Sequence, residues 1–371
     1  MRRGLLIALL AVGALLLAVS ERWLAPRVVA GRSPSGTAQW IWVAPDRQGV
    51  TPLAFQAARD FELDSPPGEA RLHVLADEEY LVYLNGVRVG GNRYRPGAGS
   101  DSYRVAPLLV AGANRLLVEV RSGRRAGGLL VRLACDSGLE IVSGPEWRIL
   151  LRYRERHLDP ANRLEETRSP RLWGGPPTGR WRLPGAGAEL PLYAELVSNE
   201  DRLWPKRVGV GEVWWPASEL RPARRLRPSS PSLGREVTFD WGRQVTGYVG
   251  LFFGTRHWPK ALLYFGCEPP DVAAAPDDHA LGVRGRLLWT SALPRRFRCV
   301  TVLAPEGVRG AFVLGVDESR AAPLLAADAP PLGPREGVFG LDRPPPLVTP
   351  VEHEIRRELE GLTGVVGRQP G

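Results

Sequence analysis

Between residues 77 and 103 the sequence gathers the side chains best suited to hold a polyhydroxylated ligand. Asp77, Glu78 and Glu79 form an acidic corner, and Asn92, Arg93, Tyr94 and Arg95 lie on a glycine-rich stretch at 90–100, with Asp101 and Tyr103 just beyond. Carboxylate, amide and guanidinium groups pair with hydroxyls, and an aromatic ring covers the apolar side of a sugar ring. The candidate carbohydrate-binding residues are therefore Asp77, Glu78, Arg93, Tyr94, Asp101 and Tyr103. The carboxylate and carbonyl oxygens of the same corner also suit a calcium ion, the one cofactor the sequence suggests. The competing reading gives Asp77 and Asn85 to turns, Tyr80 and Tyr83 to sheet packing and the arginines to solvent; for Asn85, Tyr80 and Tyr83 it is the better one.

Other chemistry finds little support. Gly31–Gly36 has the wrong spacing for a nucleophile elbow. Gly209-Val210-Gly211 lacks the third glycine of a dinucleotide loop, and His353-Glu354 has no second histidine for a zinc helix. Glu268, Asp271, Asp277 and Asp278 are the one concentration of carboxylates that invites an acid/base pair, and they read as a solvated loop. No catalytic residue is assigned. Trp214-Trp215 reads as packing between units.

Cys135, Cys267 and Cys299 are far apart and fall in no metal-ligand spacing. Three buried small hydrophobes is the preferred reading; Cys267 and Cys299 are the pair that could bridge in an exported protein.

The elements that position these residues are short strands. Proline and glycine punctuate the chain throughout, with 35 and 42 copies in 371 residues. Asn85-Gly86, flanked by apolar runs at 80–84 and 87–89, is a strong two-residue hairpin signal. A run at 72–76 leads into it. The segment at 115–121 alternates, with Leu116, Val118 and Val120 on one face. Strands of this length at regular spacing predict a sandwich or barrel. Glu236–Phe253 alternates in the same way, and 261–265, 297–303 and 310–316 read as further strands.

At the N-terminus Arg2 and Arg3 precede an apolar run at 5–19, with Ala18-Val19-Ser20 before Glu21. The run is short for a spanning helix, so it reads first as a signal peptide and second as a retained anchor using residues 4–19. Either way the remainder is exported: periplasmic, extracellular or held at the inner membrane. The formal charge of +9 is almost wholly arginine, spread along the chain with only Lys206 and Lys260 beside it. With no basic tract to follow phosphates, nucleic acid is not an expected partner.

The order Trp40-Ile41-Trp42, Ala76-Asp77-Glu78-Glu79-Tyr80, Tyr83-Leu84-Asn85-Gly86, Gly112-Ala113-Asn114, Glu146-Trp147-Arg148 resembles the N-terminal β-sandwich of bacterial α-L-rhamnosidases and similar galactose-binding-like jelly rolls. Asp240-Trp241-Gly242-Arg243 through Gly247-Tyr248, with Phe297-Arg298-Cys299-Val300, resembles a later β-domain of those enzymes, with Cys299 in place of an aromatic. The likeness spans about 38–318. The helical barrel that carries that family's catalytic acids has no counterpart in this sequence, so the resemblance implies binding modules without the engine.

The fold class read from the sequence is all-β: two jelly-roll-like β-sandwich modules behind a hydrophobic signal or anchor helix. The divisions are a signal or anchor at 1–20, a linker at 21–37, a galactose-binding-like sandwich at 38–151 and a connector at 152–191. A second sandwich follows at 192–318, then a Pro/Ala-rich tail with a short helix at 319–371. The leading functional expectation is an exported, non-catalytic protein that binds carbohydrate or a cell-envelope glycan. An envelope protein-interaction scaffold, and a degenerate or split rhamnosidase-like hydrolase, are the alternatives.

Overall fold

The computed structural model describes residues 34–45, 54–94, 99–122, 127–176, 186–197, 236–254, 259–267, 276–304 and 307–325. The apolar run at 5–19, Trp214-Trp215, Arg95, Glu268, Asp271 and the stretch at 350–363, where the short tail helix is expected, lie outside them. Among the described residues no helix is long and apolar enough to cross a membrane.

The first β unit begins with β1 (Trp40–Trp42), β2 (Ala54–Leu63), β3 (Ala70–Ala76), β4 (Glu79–Leu84), β5 (Val87–Arg93), β6 (Ser100–Arg104) and β7 (Gly112–Arg121). It continues with β8 (Leu129–Cys135), β9 (Glu140–Val142), β10 (Arg148–Leu150), β11 (Thr167–Arg168), β12 (Arg171–Gly174) and β13 (Ala186–Glu189). A short helix, α1 (Tyr193–Leu196), follows. The second unit holds β14 (Glu236–Phe253), β15 (Lys260–Phe265), β16 (Asp278–Leu281), β17 (Leu288–Thr290), β18 (Arg295–Leu303) and β19 (Val308–Gly315), closed by α2 (Glu318–Ala321).

One sheet of the first unit runs β12-β1-β8-β3-β6-β13 with β9 on β8, and the other runs β11-β10-β2-β7-β4-β5. Their inner faces meet in a core that contains Leu72, Val74, Val82, Leu84, Leu116, Val118, Val120, Val131 and Trp147. The alternation read at 115–121 is the cause: Leu116, Val118 and Val120 point inward from β7. The hairpin between β4 and β5 turns at Asn85 (φ 52°) and Gly86 (φ 79°), the left-handed pair that a type I′ turn requires. Asn85 also ties that turn to the next. Its amide donates to Asn114 Oδ1 at 2.8 Å and to the Leu108 carbonyl at 3.0 Å, and its Oδ1 accepts from the Arg115 N–H at 2.9 Å. The Asn-Gly and Gly-Ala-Asn motifs thus serve one structural knot.

Two expectations change. Residues 152–191, read as a connector, supply β11, β12 and β13, and so complete both sheets of the first sandwich. These strands are two to four residues long in an arginine- and proline-rich stretch, too short to show alternation. The second unit is one six-stranded sheet among the described residues, ordered β16-β15-β18-β14-β17 with β19 on β14. The early part of β14 pairs with β18, and its later part with β19 and β17. Between them the register shifts from Asp240 to Val245, where Gly242 sits at φ 71° and Asp240 accepts its N–H at 2.7 Å. That bulge re-aims the strand, so one sheet encloses a core of Val249, Leu251, Leu263, Trp289 and Val302.

The preferred reading of three unpaired cysteines is also corrected. Cys267 and Cys299 form a disulfide across a separation of 32 residues, and Cys135 is free and buried.

The outer face of the β4/β7 sheet is the seam between the units. All six residues of β4 are buried, because Leu81 and Tyr83 on its outer side pack with Ala58, Leu117, Leu150 and Ala292 of the second unit. Polar residues on that face are buried with them. Glu119 Oε2 accepts from Arg286 at 2.8 Å, and Glu119 Oε1 accepts from Arg121. Glu79 accepts from Arg121 at 2.8 Å and from Arg93 at 3.0 Å, and Arg93 also pairs with Asp278 of β16. Arg88 stacks between Tyr193 and Tyr248, 4.1 and 4.7 Å from the ring centres, and donates to the Ser291 carbonyl. Burial by itself pushes the Glu119 and Asp278 carboxyls up. Arg286 and Arg121 overcome it at Glu119, as Arg93 and Arg295 do at Asp278, and both groups end below the ordinary carboxylate range.

Removing one partner from such a pair leaves a buried charge exposed to a low dielectric. Arg286→Met should therefore lower stability by about 3–5 kcal/mol in urea unfolding, and adding Glu119→Leu should recover most of the loss. Replacing Cys267 and Cys299 by serine frees a 32-residue loop in the unfolded chain, and should cost up to about 3–4 kcal/mol, read as a lower unfolding midpoint.

Candidate functional site

Register places the candidate residues at one pole of the first sandwich. In one sheet Glu79 sits opposite both Arg93 and Arg121, and Ala54 opposite Arg121. In the other, Ala76 pairs with Leu129 and Val74 with Asp101. The strands therefore begin or end at 43–45, 54, 77–78, 94, 99, 122 and 127–128 on the same end. The Asn85-Gly86 turn and the 105–111 segment lie at the other.

Asp77, Glu78, Arg93, Tyr94, Asp101 and Tyr103 are all buried, none more than 9% exposed. The open rim expected for these side chains is not what the described residues form. Instead they divide into three groups. Asp101 and Tyr103 come together with Tyr80 and Asn92 between the sheets. Tyr80 donates to Asp101 at 2.7 Å and lies 2.9 Å from the Tyr103 hydroxyl, and Asn92 donates to Asp101 at 3.0 Å. Burial, then the Asp101 charge, lifts both phenols well above their usual range, so both stay protonated donors.

Arg93 turns the other way, into the seam, where it meets Glu79 and Asp278. Burial opposes its charge, but Asp278 and Glu79 prevail and raise its pKa further. Asp77, Glu78 and Tyr94 form the corner itself. Glu78 adopts φ 67°, a left-handed backbone that costs a non-glycine residue, and its carbonyl accepts the Tyr94 N–H at 2.8 Å. The Asp77 N–H donates to the Gly128 carbonyl at 2.8 Å. Gly127 is required beside it, since a Cβ there would stand 2.4 Å from the Asp77 carboxylate and 2.7 Å from Trp42. Tyr94 packs with Trp40, Leu75 and Leu130.

The calcium expectation gains no geometry. Among the described residues the one set of three His, Cys, Asp or Glu ligand atoms within 4.8 Å of one another is Asp240, Cys267 and Cys299. The two sulfurs there are bonded to each other, and Asp240 is held by Arg298 at 2.9 and 3.0 Å. That set cannot act as a thiolate site.

Sequence reasoning named Asp278 only as part of an acidic loop, and missed Glu119, Arg121 and Arg286. The strand pattern marks Glu119 and Arg121 as outward-facing, which is true of the sheet and says nothing of what covers it.

No family model and no curated protein matches the sequence. Solved structures similar to this chain include an α-L-rhamnosidase from Streptomyces avermitilis complexed with L-rhamnose, at 19% identity and a TM-score of 0.42 over 71% of this chain and 29% of that one. An α-L-rhamnosidase from Aspergillus terreus matches at 17% identity and 0.44, over 76% of this chain and 36% of that one. A Pleurotus ostreatus lectin in complex with GalNAc matches at 14% identity and 0.34, over 76% and 77%. The chain spans about a third of the length of the rhamnosidases it matches.

Proposed function

We propose that this chain is an exported, non-catalytic carbohydrate-binding protein that takes a glycan at the pole marked by residues 43–45, 77–78, 94, 99, 122 and 127–128. The observation that carries the reading is the register that brings the acidic corner, Arg93-Tyr94 and Asp101 to one end of a rigid sandwich. Binding segments set on a rigid scaffold are a common way to build recognition. Asp77, Glu78, Tyr94 and Asp101 form the floor of that pole, and Tyr103 and Arg93 brace it from within and from the seam. A cell-envelope glycan is the partner class.

Among the described residues, the two seam carboxyls lack the electrostatics of a glycosidase's proton donor. A glycosidase needs one carboxyl whose pKa is raised so that it donates a proton. Glu119 and Asp278 are shifted the other way by their arginines. Export agrees with the Cys267–Cys299 disulfide, which suits an oxidising compartment.

The full chain on a glycan array and on affinity gels of envelope polysaccharides should show saturable binding. Asp101→Asn, which removes a charged acceptor while keeping the shape of the side chain, should weaken it about tenfold. The pure chain should leave aryl rhamnosides intact. Retention on no glycan, or hydrolysis of an aryl rhamnoside, would overturn the reading.

A further inference from the structure

His157 is buried in an arrangement that burial alone does not favour. It lies in a 3-10 turn, Glu155–Leu158, and its ring is 1% exposed. Neither Nδ1 nor Nε2 has a hydrogen-bond partner. A neutral imidazole carries one donor and one acceptor, so both go unmet. The charges around it are mostly positive. Arg115 faces it from β7, and Arg154 and Arg156 flank it on its own segment; Glu165 opposes them but is already paired with both Arg154 and Arg156, Asp60 of β2 is paired with Arg115, and Glu155 stands in the same turn.

The turn is also a fastener. The carbonyls of His157, Asp159 and Asn162 accept from the Arg115 guanidinium at 2.9, 2.9 and 2.8 Å, while Asp60 of β2 holds its other edge. Gly86 of the hairpin packs closely on the turn: a Cβ there would stand 3.3 Å from the Leu158 carbonyl oxygen. Leu158 and Leu164 pack on the seam cluster that includes Ala292. Just before the turn, the Tyr153 N–H donates to the Arg284 carbonyl at 2.7 Å, and Arg286 lies over the Tyr153 ring. One short segment therefore clips the first sandwich at its Asn85-Gly86 end, opposite the candidate pole, and touches the second unit.

We infer that His157 is an acid-sensitive latch: a proton on its ring drives the 155–164 segment off Arg115 and loosens the seam between the two β units. The sign follows from the environment. Burial first, then Arg154, Arg115 and Arg156, lower its pKa in the folded chain. The unfolded or opened segment keeps the ordinary value of about 6.5. Above that value the latch is fully closed; as pH falls below it, the opened form takes up the proton first and closure weakens until the folded value is reached. The latch acts apart from glycan binding and does not rest on it.

Hydrogen exchange on the full chain, corrected for intrinsic chemistry, tests this at pH 7.5 and 5.5. Amides within 155–164 should lose protection by up to about tenfold at the lower pH, with a smaller loss across 284–292. His157→Phe and His157→Gln, which cannot take a proton, should abolish the difference; the first fills the site without polar atoms, and the second keeps a neutral polar group. A wild-type chain with equal protection at both pH values overturns the inference, as does a pH difference that survives in both variants.

Discussion

The structure depends on a set of charges that have been taken out of water between two β units. Glu119 and Glu79 stand on the outer face of the first sandwich, Arg286 and Asp278 come from the second unit, and Arg93 and Arg121 join them. Desolvating any one of these ions alone is unfavourable by several kcal/mol, and the arrangement holds only because each finds its partner. A face built this way cannot be left exposed. Its apolar members, Leu81, Tyr83 and Leu117, would meet water together with the charges. The two β units are accordingly one body, with a seam as buried as either core.

That constraint shapes the pole as well. Arg93 closes the acidic corner from behind by pairing with Glu79 and Asp278, and Tyr80, Tyr103, Asn92 and Asp101 tie the two sheets beneath it. Side chains that look like ligand-binding groups in the sequence are spent in holding the ends of the strands. What they give the pole is rigidity: strand ends at 43–45, 94, 99, 122 and 127–128 leave from a floor whose hydrogen bonds are fixed. Glu78, held at positive φ, is the strained point of that floor.

Much of the first unit was legible because its signals are local. Asn85-Gly86 states its own turn, Leu116, Val118 and Val120 declare their face by alternation, and the Asp240–Gly242 stretch announces a bend in β14. The strands at 167–189 were not legible, since two to four residues between prolines and arginines carry no period. The candidate residues were found by type, and their burial was not, because alternation shows which way a side chain points and not what lies over it. Arg93 and Asp278 are 185 residues apart, and Glu119 and Arg286 are 167 apart; no local pattern around any of them links the partners. The disulfide joins cysteines whose spacing alone left the pairing open.

Differential scanning calorimetry of the full chain tests the claim of a single body most directly. A buried, charged seam predicts one transition, with the calorimetric enthalpy equal to the van't Hoff enthalpy. Two separated transitions, or a van't Hoff enthalpy well below the calorimetric one, would show that the β units unfold independently and would contradict it.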